Sequence, residues 1–260
     1  MKRKLTEARL GERGYNILHN NCEHFANECA WGDKFSPLTD SLCQGVRAIP
    51  VVHVYVARFP FAVADDKISP DTRAAEIESC TNAKVRQQKY FVWKLLEDAL
   101  MRSFGLKIEK LNIYKQNGGR WACDECYFSL SHSGNLVAVA VSRKPVGVDI
   151  EKHEPARFTD AVAEKFATDC EREELSSFKE RQRDALNALW TKKEAVFKQF
   201  GGSGFCPKSI DVSKYCTLTK IAVSDGEKYF VTVASEDADK AVFSSTTGVK
   251  LEEFSIQVLN

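Results

Sequence analysis

Two carboxylates two residues apart are the first pattern in this chain with chemical content. In VGVDIE, residues 146–151, Val146, Val148 and Ile150 alternate with other residues, which predicts a strand. A period of two puts Asp149 and Glu151 on one face. Carboxylates held that close repel each other unless a proton or a cation lies between them, and hard divalent ions take such oxygen ligands. A magnesium site is the functional reading; a solvated edge strand with two acidic residues is the plain one. A second pair lies in WTKKEAVFKQFGG, where Leu186, Leu189, Trp190, Phe197 and Phe200 mark the apolar face of a helix. Glu194 and Lys198, four apart, project from one side of it, and alone they amount to a surface ion pair worth about 0.3–0.5 kcal/mol. The third pattern is FSLSHSGN, residues 128–135, a strand emptying into a small-residue turn. There Ser131, His132, Ser133 and the free amides of the turn suit phosphate oxygens.

The elements that must position these residues repeat. A helix from about Lys84 to Ser103 stops at Phe104-Gly105, followed by a strand in LKIEKLNI and a hairpin in YFSLSHSGNLVAVAVS. A second helix from about Asp184 stops at Phe200-Gly201, followed by a strand in KSIDVSKY and a hairpin in YFVTVASEDADKAVFSS. Two α+β halves facing each other are expected, over residues 48–145 and 146–260. Gly45 and Pro50 mark a boundary before them, so residues 1–47 stand apart as a short strand-helix fragment.

In order, FSLSHSG, VGVDIE and WTKKEAVFK resemble the 4′-phosphopantetheinyl transferases of the larger, surfactin-synthetase-activating type, over about residues 50–260. That resemblance implies an α+β pseudo-dimer of two similar halves in one chain. It implies transfer of the phosphopantetheine arm of coenzyme A to a serine of an apo acyl or peptidyl carrier protein, with release of adenosine 3′,5′-bisphosphate. By the same resemblance Asp149, Glu151 and Glu194 hold magnesium, or manganese, against the pyrophosphate of coenzyme A. Glu194 becomes the base for the carrier serine, directly or through water. Lys198 resembles the lysine that contacts phosphate and protonates the leaving group. Ser131 and His132 match residues that contact coenzyme A phosphates, and Gly119-Arg120 lies where a Gly-Lys element flanks the adenine. Arg86 and Lys89 fall where the family places cations for the 3′-phosphate, while the usual arginine two residues before the paired leucines is Trp93 in this chain.

Composition narrows the remaining classes. Thirty-seven basic against 36 acidic residues leave a net charge of +1, so no global field points to nucleic acid or an anionic membrane. Any anion site is local. The start MKRKLTEARLGERGYN has no apolar run behind it, so neither a secretory signal nor a membrane span is expected, and the cytoplasm is the expected compartment. Two halves that cover each other's apolar faces predict a monomer. The nine cysteines, an odd number without a repeating framework, are expected as free thiols. Cys123 and Cys126 have the spacing of half a zinc knuckle or a redox pair, but a tight turn between Trp121 and Tyr127 is the preferred reading.

GYNILHNNCEHFANEC resembles a different family, the lecithin:retinol acyltransferase-like thiol enzymes, whose NCEHF motif places a nucleophilic cysteine at a helix N-terminus. The helix dipole there would lower the pKa of Cys22. Such chemistry also needs a histidine base, upstream in that family, and no histidine precedes His19. The segment is therefore expected to be the tail of a broken domain. A Cys22-centred hydrolase or acyltransferase and a non-catalytic carrier-protein binder are the competing functions.

Overall fold

Glycines at positive φ, Gly105 and Gly201, end the two long helices among the described residues, as the sequence implies. The chain divides between Ile49 and Pro50 into two units. The computed structural model describes residues 52–116, 119–157, 159–178, 181–202 and 204–254. Cys22 and the expected fragment 1–47 lie outside the described residues.

The first part of the second unit contains β1 (His53–Arg58), α1 (Asp71–Glu78), α2 (Ala83–Phe104), β2 (Ile113–Lys115), β3 (Trp121–Cys123), β4 (Tyr127–Ser133) and β5 (Leu136–Ser142). Asn82 caps α2 by accepting the Val85 N–H at 3.1 Å, and Gly105, at φ +66°, returns its own N–H to the last turn. Then follow β6 (Gly147–Lys152), α3 (Asp160–Phe166), α4 (Asp169–Ser176), α5 (Gln182–Phe200), β7 (Thr217–Ser224), β8 (Glu227–Ala234), β9 (Val242–Ser245) and β10 (Lys250–Glu253).

The strands form two four-stranded sheets, ordered β4-β5-β1-β9 and β10-β7-β8-β6, beside a small β2-β3 ribbon. Every residue of β5 is buried because both faces of its sheet are covered. Val137, Val139 and Val141 pack under Val92, Leu95 and Leu96 of α2. Leu136, Ala138 and Ala140 face inward, onto Val148 and Ile150 of β6 and Val231 and Val233 of β8. On the far side of the second sheet lies α5, with Ala195 and Val196 against Ala234. Two helices thus sandwich two sheets, a mixed α+β architecture. In both sheets an opening strand is followed by a long helix and a hairpin, and that strand pairs antiparallel with the hairpin's second strand: β1 with β5, and β6 with β8.

Three expected strand assignments are corrected. LKIEKLNI holds a single 3-10 turn, Ile108–Lys110, before β2 begins at Ile113. KSIDVSKY is occupied by two such turns, Pro207–Ser209 and Val212–Lys214. Each stretch buries only one side chain, Ile108 or Val212, which a turn delivers to the core as well as a strand does. The hairpin expected in residues 229–245 does not form, since β8 turns back on β7 through Asp225-Gly226 while β9 crosses to pair in parallel with β1. No helix among the described residues is long and apolar enough to cross a membrane.

Candidate active site

One missing side chain sets the geometry. A Cβ on Gly147 would lie 1.9 Å from the backbone oxygen of Ala195, so β6 and α5 approach to a distance only glycine permits. The period of two then turns Asp149 and Glu151 toward the same helix, and the helical spacing brings Glu194 and Lys198 round to meet them. Asp149 is 2% exposed. Its Oδ1 accepts hydrogen bonds from Lys198 Nζ at 2.7 Å and from Ser131 Oγ at 2.8 Å. Its Oδ2 is buried without a partner. Lys198 Nζ also stands 3.7 Å from Glu194 Oε2.

The electrostatics follow from three carboxylates around one ammonium. Burial, followed by the Asp149 charge, raises the Glu194 carboxyl to about 7 against the pull of Lys198. Burial and Asp149 also raise Glu151, with Arg157 opposing. For Lys198, burial works toward the neutral amine, but Asp149 and Glu194 outweigh it and hold the ammonium above its ordinary value. His132 is lowered by burial and by the Lys198 charge, which favours neutral imidazole.

Asp149, Glu151, Glu194, Lys198, Ser131 and His132 line one cavity of about 400 Å³. A second cavity of about 310 Å³ adjoins it across Gly119, Trp121, Leu130 and Lys198, and is walled by Phe128, Phe197 and Arg120. Among the described residues no three His, Cys, Asp or Glu side chains already form a metal cage. The donors nevertheless fit a hard divalent cation: all are carboxylate oxygens, two have pKa values raised by burial and then by the neighbouring carboxylate charge, and one buried oxygen has no partner.

Of the cations expected to meet a 3′-phosphate, Lys89 lines the larger cavity. Arg86 is exposed and lines neither of the two cavities. It falls on the solvent side of α2, whose buried stripe runs through Gln88, Val92 and Leu95. The sequence reading also missed Arg73, on α1, whose guanidinium stands 4.7 Å from the centre of the Trp93 ring. Trp93 itself is buried in the core. Arg73, Lys89 and Lys115 each reach Glu76 at 3.1 Å, and Trp121 Nε1 donates to it at 3.0 Å. Burial alone would raise Glu76, but hydrogen bonds from Lys115, Lys89 and Trp121 and the Arg73 charge bring it down to about 2. No pattern in the sequence joins α1, α2 and β2, and only packing assembles this cluster.

Arg120 spends its donors on the chain itself, giving hydrogen bonds to the backbone oxygens of Gln199, Phe128 and Val146 and so tying α5, β4 and β6 together. Cys123 and Cys126 flank a tight turn between β3 and β4 with their sulfurs 3.5 Å apart. All six described cysteines are free.

Comparison with known proteins points to the same region. The family model of the 4′-phosphopantetheinyl transferase superfamily matches residues 145–257, which include β6 and α5. A 4′-phosphopantetheinyl transferase of Bacillus subtilis is 28% identical over 155 residues, covering 57% of this chain and 68% of that protein. The 4′-phosphopantetheinyl transferase Sfp of Bacillus subtilis strain 168 is 30% identical over 143 residues, 52% of this chain and 60% of that protein. The chain thus spans 68% and 60% of the length of these two relatives. Residues 3–35 match the lecithin retinol acyltransferase family. The Bos taurus lecithin retinol acyltransferase is 44% identical over 43 residues, 16% of this chain and 19% of that protein.

Proposed function

We propose that this chain, matched over residues 145–257 to the 4′-phosphopantetheinyl transferase superfamily, moves the phosphopantetheine arm of coenzyme A to a serine hydroxyl of an apo acyl or peptidyl carrier protein. The observation that carries this reading is the convergence of Asp149, Glu151, Glu194 and Lys198 on one cavity. In the transfer a bond forms between the carrier serine oxygen and the β-phosphorus of coenzyme A, the pyrophosphate bridge breaks, and adenosine 3′,5′-bisphosphate leaves.

Asp149, Glu151 and Glu194 would hold magnesium, with manganese as the substitute. When bound, the ion offsets charge on the pyrophosphate oxygens. Glu194, with its carboxyl near neutrality, accepts the serine proton directly or through water. Lys198 enters the step as the ammonium, faces the departing phosphate and gives it a proton, which leaves the neutral amine. His132, Arg73 and Lys89 line the same cavity; Arg73 and Lys89 give the 3′-phosphate its counter-charges, and the neutral His132 gives it a hydrogen bond. Gly119 and the apolar wall of the adjoining cavity suit the adenine.

The shared order of strand, helix and hairpin in the two sheets supports a pseudo-dimer with halves at 48–145 and 146–260, and with it a monomer. We assign the reaction to the cytoplasm, where coenzyme A meets apo carrier proteins.

The test is to incubate the full chain with coenzyme A, magnesium and a panel of apo acyl and peptidyl carrier proteins, and to weigh each carrier by mass spectrometry. Addition of one phosphopantetheine to a serine is expected. No gain on any carrier, or gain that survives chelation, overturns the reading.

A further inference from the structure

β4 and β6 are the outer strands of their respective sheets, and where they meet they share no backbone ladder. Outer strands leave a row of N–H groups that must find acceptors. Here the acceptors are hydroxyls: Ser129 Oγ takes the Val148 N–H at 3.0 Å, Ser131 Oγ the Ile150 N–H at 3.2 Å, and Ser133 Oγ the Lys152 N–H at 3.0 Å. The alternation in FSLSHS allows it, since Phe128 and Leu130 pack into the first core while the serines face β6.

Two of the three hydroxyls do something more. Ser131 Oγ donates to Asp149 Oδ1 at 2.8 Å, and Ser133 Oγ donates to Glu151 Oε2 at 3.2 Å. Ser131 also receives Lys198 Nζ at 3.0 Å. A hydroxyl has one proton to give and two lone pairs, so Ser131 is saturated by protein partners. Ser129 has no such second contact, because the β6 residue at the corresponding place is Gly147.

We infer that Ser131 and Ser133 are positioning residues for the cation site: each is anchored by an edge N–H of β6 and uses its proton to aim the carboxylate beside it. The inference rests on the metal reading proposed above. Partners that orient a ligating carboxylate commonly change metal affinity when removed. Ser129 supplies an internal control, since its loss also strands an edge N–H but frees no carboxylate. Arg157 Nη1, at 3.2 Å from the same Glu151 oxygen, constrains that group from the solvent side and leaves the inner contact to Ser133.

The experiment titrates manganese ion alone into the full chain and follows free ion by electron paramagnetic resonance, with thermal unfolding of each variant recorded beside it. Ser133→Ala should weaken manganese binding about 10–100-fold. Ser133→Thr, which keeps the hydroxyl, should restore it. Ser129→Ala should bind manganese like the wild type while losing as much thermal stability as Ser133→Ala. Unchanged affinity in Ser133→Ala, or an equal loss in Ser129→Ala, overturns the inference and leaves the metal reading intact. A wild-type chain that binds no manganese overturns the metal reading, and this inference with it.

Discussion

Gly147 and Ala195 touch backbone to backbone, with room for no side-chain atom between β6 and α5. Gly147→Ala must push the helix outward, separating Asp149 and Glu151 from Glu194 and Lys198. Overpacking of this kind costs about 1–3 kcal/mol, and a contact with backbone rather than a flexible side chain puts it at the upper end. Denaturant unfolding should show that loss, and turnover should fall even in the folded fraction. A variant as stable and active as the wild type would mean that this contact does not set the site.

Asp149→Ala, Glu151→Ala and Glu194→Ala should each remove most transfer activity, since each deletes one of the converging carboxylates. Chelation should abolish turnover, and added magnesium or manganese should restore it. Full activity in any two of the three variants would disprove the ligand set.

The raised Glu194 carboxyl has a consequence for stability without metal. A carboxylate whose folded pKa lies above its ordinary 4.5, here about 7, favours the folded state when protonated. Its contribution is present below pH 4.5 and fades as pH rises through about 7. Metal-free Glu194→Gln should therefore gain on the order of 1–3 kcal/mol over the wild type at pH 8, and little at pH 4. Urea unfolding across that range measures it. A wild-type advantage at pH 8 would contradict the assigned cost of the buried Glu194 charge.

Glu76 has the opposite sign. Its carboxyl is held at about 2 by Lys115, Lys89, Trp121 and Arg73, so its contribution is full above pH 4.5 and is lost as pH falls toward 2. Glu76→Gln should cost about 2 kcal/mol at neutral pH, after allowance for partial exposure, and the gap to the wild type should close in acid. A gap that stays constant with pH would show that shape, rather than charge, holds the cluster.

If NCEHF is a remnant, Cys22→Ala and removal of residues 1–47 should leave transfer per folded molecule unchanged. A magnesium-independent ester cleavage in the intact chain, lost with Cys22→Ala alone, would overturn that reading and assign the segment a chemistry of its own.

Local periodicity was enough to place the two long helices α2 and α5, the β4-β5 hairpin and β6, but not the short α1, α3 and α4, because a residue's dihedral preferences and its share of an apolar stripe depend on neighbours within a turn or two. The same periodicity put Asp149 beside Glu151, and Glu194 beside Lys198. It could not bring the two pairs together. That depends on Gly147, whose role becomes visible only when Ala195 lies against it. Nor could it tell that KSIDVSKY turns where its alternation suggested a strand, or that β9 leaves β8 for β1, since both depend on which surfaces remain uncovered after the sheets pack. Arg86 and Arg73 make the same point: both are arginines of helical segments, and only the packing of α1 against α2 faces Arg73 to the cavity and leaves Arg86 in solvent. The serines of FSLSHS were legible as small and polar. Their partners on β6 were not, because an edge N–H is exposed or satisfied according to what the rest of the fold sets beside it.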